Sequence, residues 1–364
     1  MDITINLTLL DRNIVPQAEL GSYTIMVNTP QTEAILRKHY GRRGLGLKVF
    51  KGMTGYRTIT KESANHIWGS VTIKTASIIQ NLFAREGIAP RVYGLVYVNG
   101  IIAQVTDYIV RTKDPKIPEH NARVAKLEQL MAKYKIKSTA KAFDAGMSNW
   151  RDGKYVDFSH LNFVDFEAYK KELDIRARTR RGVLLSKAYQ PVPELNIEGT
   201  RDIAARIANL DLNTLPFKDT AVLDIGCNFG AFSRFASNAG ATRVMGIDKA
   251  GQLSFEINNV LGYWNMDIVT EDILKYIARK RESNPRGFKF DIVFLMAVQN
   301  YIGGIEAALQ AVAPVVKKLI IVESHGGETR EKYEAVFDTI DHLDVRYKGH
   351  VDDPQIRHQW WLFV

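Results

Sequence analysis

From residue 220 onward, short apolar runs alternate with amphipathic stretches. TAVLDIG (220–226), RVMGID (243–248), MDIVTED (266–272), FDIVFLM (290–296) and KKLIIVES (317–324) are apolar, β-branched runs of strand length. Between them, NFGAFSRFASNAG (228–240), LSFEINNVLG, LKYIARKRESN and IEAALQAVAPVV carry helical spacing, with Gly240 placed as a C-terminal stop. This alternation predicts a parallel sheet with helices on both faces. After a further helix, REKYEAVFDTI, the runs LDVRYKGHV and RHQWWLFV are joined by a short link, so they are predicted to be antiparallel neighbours.

The first half carries a different pattern. LGLKVFKG (45–52) reads as a strand with Lys48 facing inward. SVTIKTASIIQNLFAREGIAPRVYGLVYVNG reads as a helix, a turn at Pro90 and a strand hairpin that continues into IIAQVTDYI (101–109). ARVAKLEQLMAKYKI is an amphipathic helix, followed by FDAGMSNW and GKYVDFSH. No repeat or low-complexity tract is present. Two prolines and a glycine break the pattern in KAYQPVPELNIEGT, and TRDIAARIANL (200–210) then predicts a lead-in helix. The expected division is therefore a domain over 1–186, a linker and lead-in helix over 187–219, and a domain over 220–364.

Composition changes this picture in two ways. Hydrophobic residues at 46% and charged residues at 24% fit a soluble globular chain, and no run of 18 apolar residues suggests a membrane span. The sequence starts without a recognisable signal peptide, and the single cysteine, Cys227, allows no internal disulfide. A reducing, cytoplasmic setting is expected. The charge is uneven: residues 1–190 hold 30 Lys and Arg against 17 Asp and Glu, the rest 19 against 23. The first half is therefore expected to meet an anionic partner, whether nucleotide, phosphorylated glycan, nucleic acid or membrane surface, or to be a solvated basic face. Its densest cluster is Arg176, Arg178, Arg180 and Arg181.

The candidate chemistry starts at VLDIGCNFGAFS. A buried strand ends, a glycine-containing turn follows and a helix begins, which presents unpaired N–H groups and a positive dipole end to a ligand. Gly226 and Gly230 allow close backbone approach, and Asn228 tolerates a left-handed conformation between them. Asp224 precedes the turn, Asp248 ends the second strand, and Asp272 is read as ending the third. All three acids are thus expected in the crevice at the carboxyl ends of consecutive strands. A dinucleotide-binding dehydrogenase would carry G-x-G-x-x-G, which is absent, and its sheet would lack the closing antiparallel pair.

This segment, with GIDKA and FDIVFLMAVQNYIG, resembles the motifs of class I S-adenosylmethionine-dependent methyltransferases over some 140 residues. The resemblance implies a doubly wound, mostly parallel seven-stranded sheet. It also implies that Asp224, Gly226, Cys227, Asn228, Gly230, Asp248 and Asp272 contact S-adenosyl-L-methionine. Acceptor-side candidates are Gln299, Asn300 and Tyr301 after the fourth strand, and Glu323 and His325 after the fifth, either of which is a candidate base. No Asn/Asp-Pro-Pro-aromatic segment follows strand four and no second cysteine is available, so an O-methyl acceptor is expected. YQPVPELNIEGTR with LIIVESHGG resembles methyltransferases acting on sugars, in which the region matching Tyr189-Gln190 covers the active site.

In the first half, Asp144-x4-Asn149 followed by Asp157-Phe158-Ser159 resembles the catalytic and metal-binding loops of protein-kinase-like phosphotransferases, and GIAPRVYG those of aminoglycoside phosphotransferases. The resemblance implies a small α+β domain. In it Asp144 orients an attacking hydroxyl, Asn149 and Asp157 hold Mg2+, and Lys48 meets ATP. The helix at 70–84 has no glutamate to pair with Lys48. Together these readings predict a methyltransferase acting on an anionic glycan or small molecule, coupled to phosphorylation. The alternative is a nucleic-acid methyltransferase with a basic, non-catalytic binding module in front.

Overall fold

The structure is a computed structural model, which describes residues 4–5, 18–20, 24–27, 30–50, 73–98, 101–109, 117–139, 149–158, 160–284, 288–324, 331, 333, 335, 344–352 and 356–364. The chain divides into two compact units, Met1–Lys171 and Glu172–Val364, so residues 187–219 belong with the second.

The first unit is built on strands β1 (Thr4–Ile5), β2 (Ala18–Leu20), β3 (Thr24–Val27), β4 (Leu45–Phe50), β5 (Val92–Val98) and β6 (Ile101–Asp107), in the order β1-β5-β6-β4-β3-β2. All pairs are antiparallel except β1 with β5. Helices α1 (Pro30–Tyr40), α2 (Ile73–Arg85) and α3 (Ile117–Lys133) accompany the sheet. Every residue of α2 from Ala76 to Phe83 is buried, polar ones included. The polar ones are satisfied: Asn81 exchanges two hydrogen bonds with the backbone of Val92, and Gln80 donates to the Pro90 carbonyl. Two short antiparallel pairs follow, Ile136–Ser138 with Leu161–Phe163, and Trp150–Arg151 with Lys154–Tyr155. Helix α4 (Phe166–Arg178) runs across the division in sequence.

The second unit has the expected alternation. Strands β7 (Ala221–Ile225), β8 (Arg243–Ile247), β9 (Met266–Val269), β10 (Phe290–Met296), β11 (Val316–Ser324), β12 (Asp344–Asp352) and β13 (Ile356–Phe363) lie in the order β9-β8-β7-β10-β11-β13-β12. The first five are parallel, and β13 is antiparallel to both β11 and β12. The helices are α5 (Ile203–Asn209), α6 (Ala231–Asn238), α7 (Gly251–Leu261), α8 (Ile273–Ser283) and α9 (Ile305–Val312). Successive strand residues serve opposite faces. Phe294, Leu319, Ile321 and Trp361 join one core with Phe232 of α6, while Val293, Leu295, Ile320, Val322 and Trp360 join the other with Leu309 of α9. Among the described residues no helix is long and apolar enough to cross a membrane.

One boundary differs from expectation. The third strand stops at Val269, where its pairing with Ile247 ends, and does not run to residue 272. Asp272 is instead the N-cap of α8, its carboxylate accepting from the Lys275 backbone N–H at 3.3 Å. An aspartate three residues ahead of a free helical N–H is more stable as a cap than as a strand end.

Candidate active site

The glycine turn leaves β7 with three left-handed residues, Gly226 (φ +69°), Asn228 (φ +49°) and Gly230 (φ +80°). Gly226 is required twice over: a Cβ there would also stand 2.5 Å from Cγ2 of Val298, just past β10. Asp248, beyond β8, clips the turn by accepting from the Asn228 N–H at 3.0 Å, and holds its own loop by accepting from the Ala250 N–H at 2.7 Å. The Asn228 side-chain oxygen is buried and has no hydrogen-bond partner.

Asp224 is buried on β7 and accepts a 2.6 Å hydrogen bond from the Ser233 hydroxyl of α6. Burial pushes its carboxyl pKa up to about 6, against the lowering effect of Ser233. Cys227 turns its thiol into the core beneath Gly246, and burial raises the thiol pKa well above the ordinary value. It offers a ligand only backbone. Asp272 stands on the same edge, paired with Lys249 at 3.4 Å. Its pKa is lowered, chiefly by the Lys275 N–H that it caps.

The segment before α5 folds onto this turn. Bridges Ala188↔Gly199 and Val192↔Ile197 close it into a compact loop. The buried Gln190 side-chain oxygen accepts from the N–H groups of Phe229 at 3.1 Å and Ala231 at 3.4 Å, covering the start of α6.

Across the edge, Glu323 near the end of β11 is not placed as the base that its position in the sequence suggested. It is fully buried and takes four donors: Arg206 Nε at 2.9 Å and Nη2 at 2.7 Å, Arg357 Nη1 at 2.9 Å, and Gln359 Nε2 at 3.1 Å. Burial alone would raise its pKa, but the arginines hold it below the ordinary value. A carboxylate so saturated anchors cations and has little affinity for a substrate proton. Burial also works against the Arg357 charge, and Glu323 and the Tyr189 hydroxyl beside it raise its pKa in return. Gln299 is buried with neither amide atom partnered, Asn300 and Tyr301 are exposed, and His325 lies outside the described residues.

In the first unit, Lys48 of β4 is buried and donates to the Val156 carbonyl at 2.6 Å and to the Gln80 side-chain oxygen of α2 at 3.4 Å. Gln80 thus stands where the sequence offered no glutamate. Burial lowers the Lys48 pKa to about 8, opposed by the charge of Asp157. Val156 also bonds the Asn149 carbonyl, so Lys48, Asn149 and Asp157 share one locality. His160 is 3.8 Å from Asp157. Asp144 and Ser159 lie outside the described residues. Among the described residues no cluster of three His, Cys, Asp or Glu side chains could hold a metal.

No family model matches the sequence, and no curated protein matches it. Solved structures do resemble it. A SAM-dependent methyltransferase from Aquifex aeolicus is 15% identical with a TM-score of 0.33, over 45% of this chain and 91% of that one. An S-adenosylmethionine-dependent methyltransferase from Mesorhizobium loti is 11% identical with a TM-score of 0.35, over 45% and 99%. A Streptococcus mutans protein assigned as a SAM-dependent methyltransferase is 13% identical with a TM-score of 0.38, over 80% and 97%.

Proposed function

We propose that the second unit is an S-adenosyl-L-methionine-dependent methyltransferase acting on a hydroxyl or phosphate oxygen of an anionic glycan or small molecule. The observation that carries this reading is the left-handed turn at Gly226, Asn228 and Gly230, flanked by Asp224 and Asp248 at the carboxyl ends of adjacent parallel strands. The residues present fit the cofactor: the Asn228 oxygen lacks a partner, and Asp224 is a buried carboxylate with only Ser233 bonded to its side chain.

In this reading Asp224 holds the ammonium of the methionine moiety, Asp248 the ribose hydroxyls and Asp272 the adenine amino group. Each oxygen of Asp248 accepts one backbone N–H and retains a lone pair for a hydroxyl. The cofactor supplies a methyl group on a sulfonium, and the chain's contribution is chiefly alignment for in-line transfer. Glu323 keeps the acceptor side rigid, and His325 is the candidate base. The test is calorimetry with S-adenosylhomocysteine: binding by the wild type and its loss in Asp224→Asn support the reading, and no binding by the wild type defeats it. Transfer of labelled methyl to glycan but not RNA separates the acceptor classes. Transfer to RNA that fails steeply with salt would favour the nucleic-acid alternative.

A second reading concerns the first unit, as an ATP- and Mg2+-dependent phosphotransferase. What favours it is Lys48, a lysine buried beside Val156 and Asp157 and facing Gln80 of α2. Lys48 would meet phosphate, Asn149 and Asp157 would hold the metal, and Asp144 would orient the hydroxyl. Calorimetry with ATP and Mg2+ decides it, and absence of binding removes the kinase half.

A further inference from the structure

The edge between β11 and β13 holds one carboxylate against two guanidiniums. Arg206, Glu323 and Arg357 are all buried, at 1%, 0% and 2% exposure. Arg206 satisfies Glu323 with two parallel bonds, and Arg357 adds a third through Nη1. One carboxylate thus faces two guanidiniums, and Arg206 takes it through its two-pronged contact. Arg357 is then a surplus buried cation, and its Nε–H is buried with no partner. A buried polar group without a partner is costly and a charged one more so, so an anion is the group that would complete it.

Other unpartnered atoms gather at the same edge. Gln359, whose side-chain oxygen has no partner, is the register neighbour of Glu323. Gln299, with both amide atoms unpartnered, lies two residues past Ala297, whose N–H bonds the Glu323 carbonyl. Tyr189, on the loop that brings Gln190 to the glycine turn, stands beside Arg357 and is 39% exposed. The Arg201 guanidinium lies over the Tyr189 ring, 4.6 Å from its centroid. A merely structural Arg357 would need only Glu323 and the Tyr189 hydroxyl; that account leaves Nε, Gln359 and Gln299 unexplained together.

We propose that Arg357, with Tyr189 and Gln299, recognises an anionic group, carboxylate or phosphate, on the methyl acceptor, and that Glu323 is a positioning residue that fixes Arg357 for this task. The inference rests on the methyltransferase reading and names the acceptor chemistry of that site.

The test is calorimetry on the full chain saturated with S-adenosylhomocysteine, titrated with inorganic phosphate and, separately, with acetate. The expected result is one weak site per chain for one of the two anions, the successful arm identifying the chemistry. Arg357→Gln should weaken it by about tenfold or more, Arg357→Lys, which keeps charge but loses Nε, by about fivefold, and Tyr189→Phe by about threefold. Affinity for S-adenosylhomocysteine should stay within about twofold in all three. The proposal is overturned if the cofactor product binds but neither anion does. It is also overturned if Arg357→Lys and Tyr189→Phe both bind anion like the wild type, even where Arg357→Gln fails to fold. A loss of S-adenosylhomocysteine affinity in Arg357→Lys would assign the arginine to the cofactor's own carboxylate and equally overturn it. Failure of the wild type to bind S-adenosylhomocysteine would instead defeat the methyltransferase reading.

Discussion

Arg206 and Glu323, 117 residues apart in the chain, meet through two parallel hydrogen bonds of 2.9 and 2.7 Å inside the second unit. The bond ties α5 to the end of β11, and Arg357 draws β13 into the same point. The position that in sequence offered a catalytic carboxylate is therefore a structural knot.

Its removal should be felt in stability before activity. Glu323→Gln leaves two buried guanidiniums without a counter-charge, and the expected cost is about 3–5 kcal/mol. Urea unfolding followed by fluorescence measures it. Wild-type stability together with lost methyl transfer would restore Glu323 as a base.

Asp224 predicts a pH dependence. Its pKa is raised in the fold to about 6, so its neutral form is preferred there. That contribution to stability is full below the ordinary carboxylate range and is lost as pH rises through 6. A bound ammonium prefers the anion. Affinity for S-adenosylhomocysteine should therefore rise with pH up to about 6 and then level off, changing by up to about tenfold per unit on the acid side. Asp224→Asn should bind at least about tenfold more weakly and show no such slope. Calorimetry from pH 5 to 8 distinguishes the two profiles.

The turn can be probed through its neighbour. Gly226→Ala places a Cβ against Val298 and imposes φ +69° on a residue that resists it. The expected outcome is destabilisation by about 1–3 kcal/mol and loss of cofactor binding. Adding Val298→Ala removes the 2.5 Å contact with Cγ2 but leaves the Cβ of residue 298 at 3.0 Å and the backbone strain, restoring the melting temperature only in part. Full recovery in the double variant would mean that the left-handed conformation is not required.

In the first unit, burial lowers the Lys48 pKa to about 8, and the charged form is disfavoured relative to the unfolded chain. Stability should therefore increase as pH rises through 8 toward the ordinary lysine range. Lys48→Met should destabilise the unit near pH 7 by about 1–3 kcal/mol, because removing the desolvated charge also leaves the buried Val156 carbonyl and Gln80 side-chain oxygen without their shared donor. It should also abolish any ATP binding. ATP binding that survives the substitution would remove Lys48 from the nucleotide site.

What the sequence made legible was what short-range physics dictates. The strand runs reappear as β7 to β11 because buried parallel strands need unbroken apolar stretches. The turn was legible because glycine and asparagine are the residues that accept a positive φ cheaply, and Gly226, Asn228 and Gly230 all do. What stayed hidden depended on distant partners. The ending TED after a strand reads equally as its last residues or as a helix cap, and only the register of β9 against β8 assigns Asp272 to α8. Nothing local to Glu323 announces Arg206 or Arg357. Gln80 meets Lys48 in place of an acidic partner because an amide oxygen can accept the same hydrogen bond without charge. Gln190 lies in a proline-broken segment, and nothing local to it announces its grip on the start of α6, 39 residues away.

The strand order also constrains how the second unit is made. β13 is synthesised after β12 yet sits between it and β11, so β12 has no sheet to join until residues 356–363 have emerged. A nascent chain halted earlier would carry β11 as an open, apolar margin with Glu323 lacking one of its two cations. The sheet is therefore closed late, by the strand that carries Trp360 and Trp361.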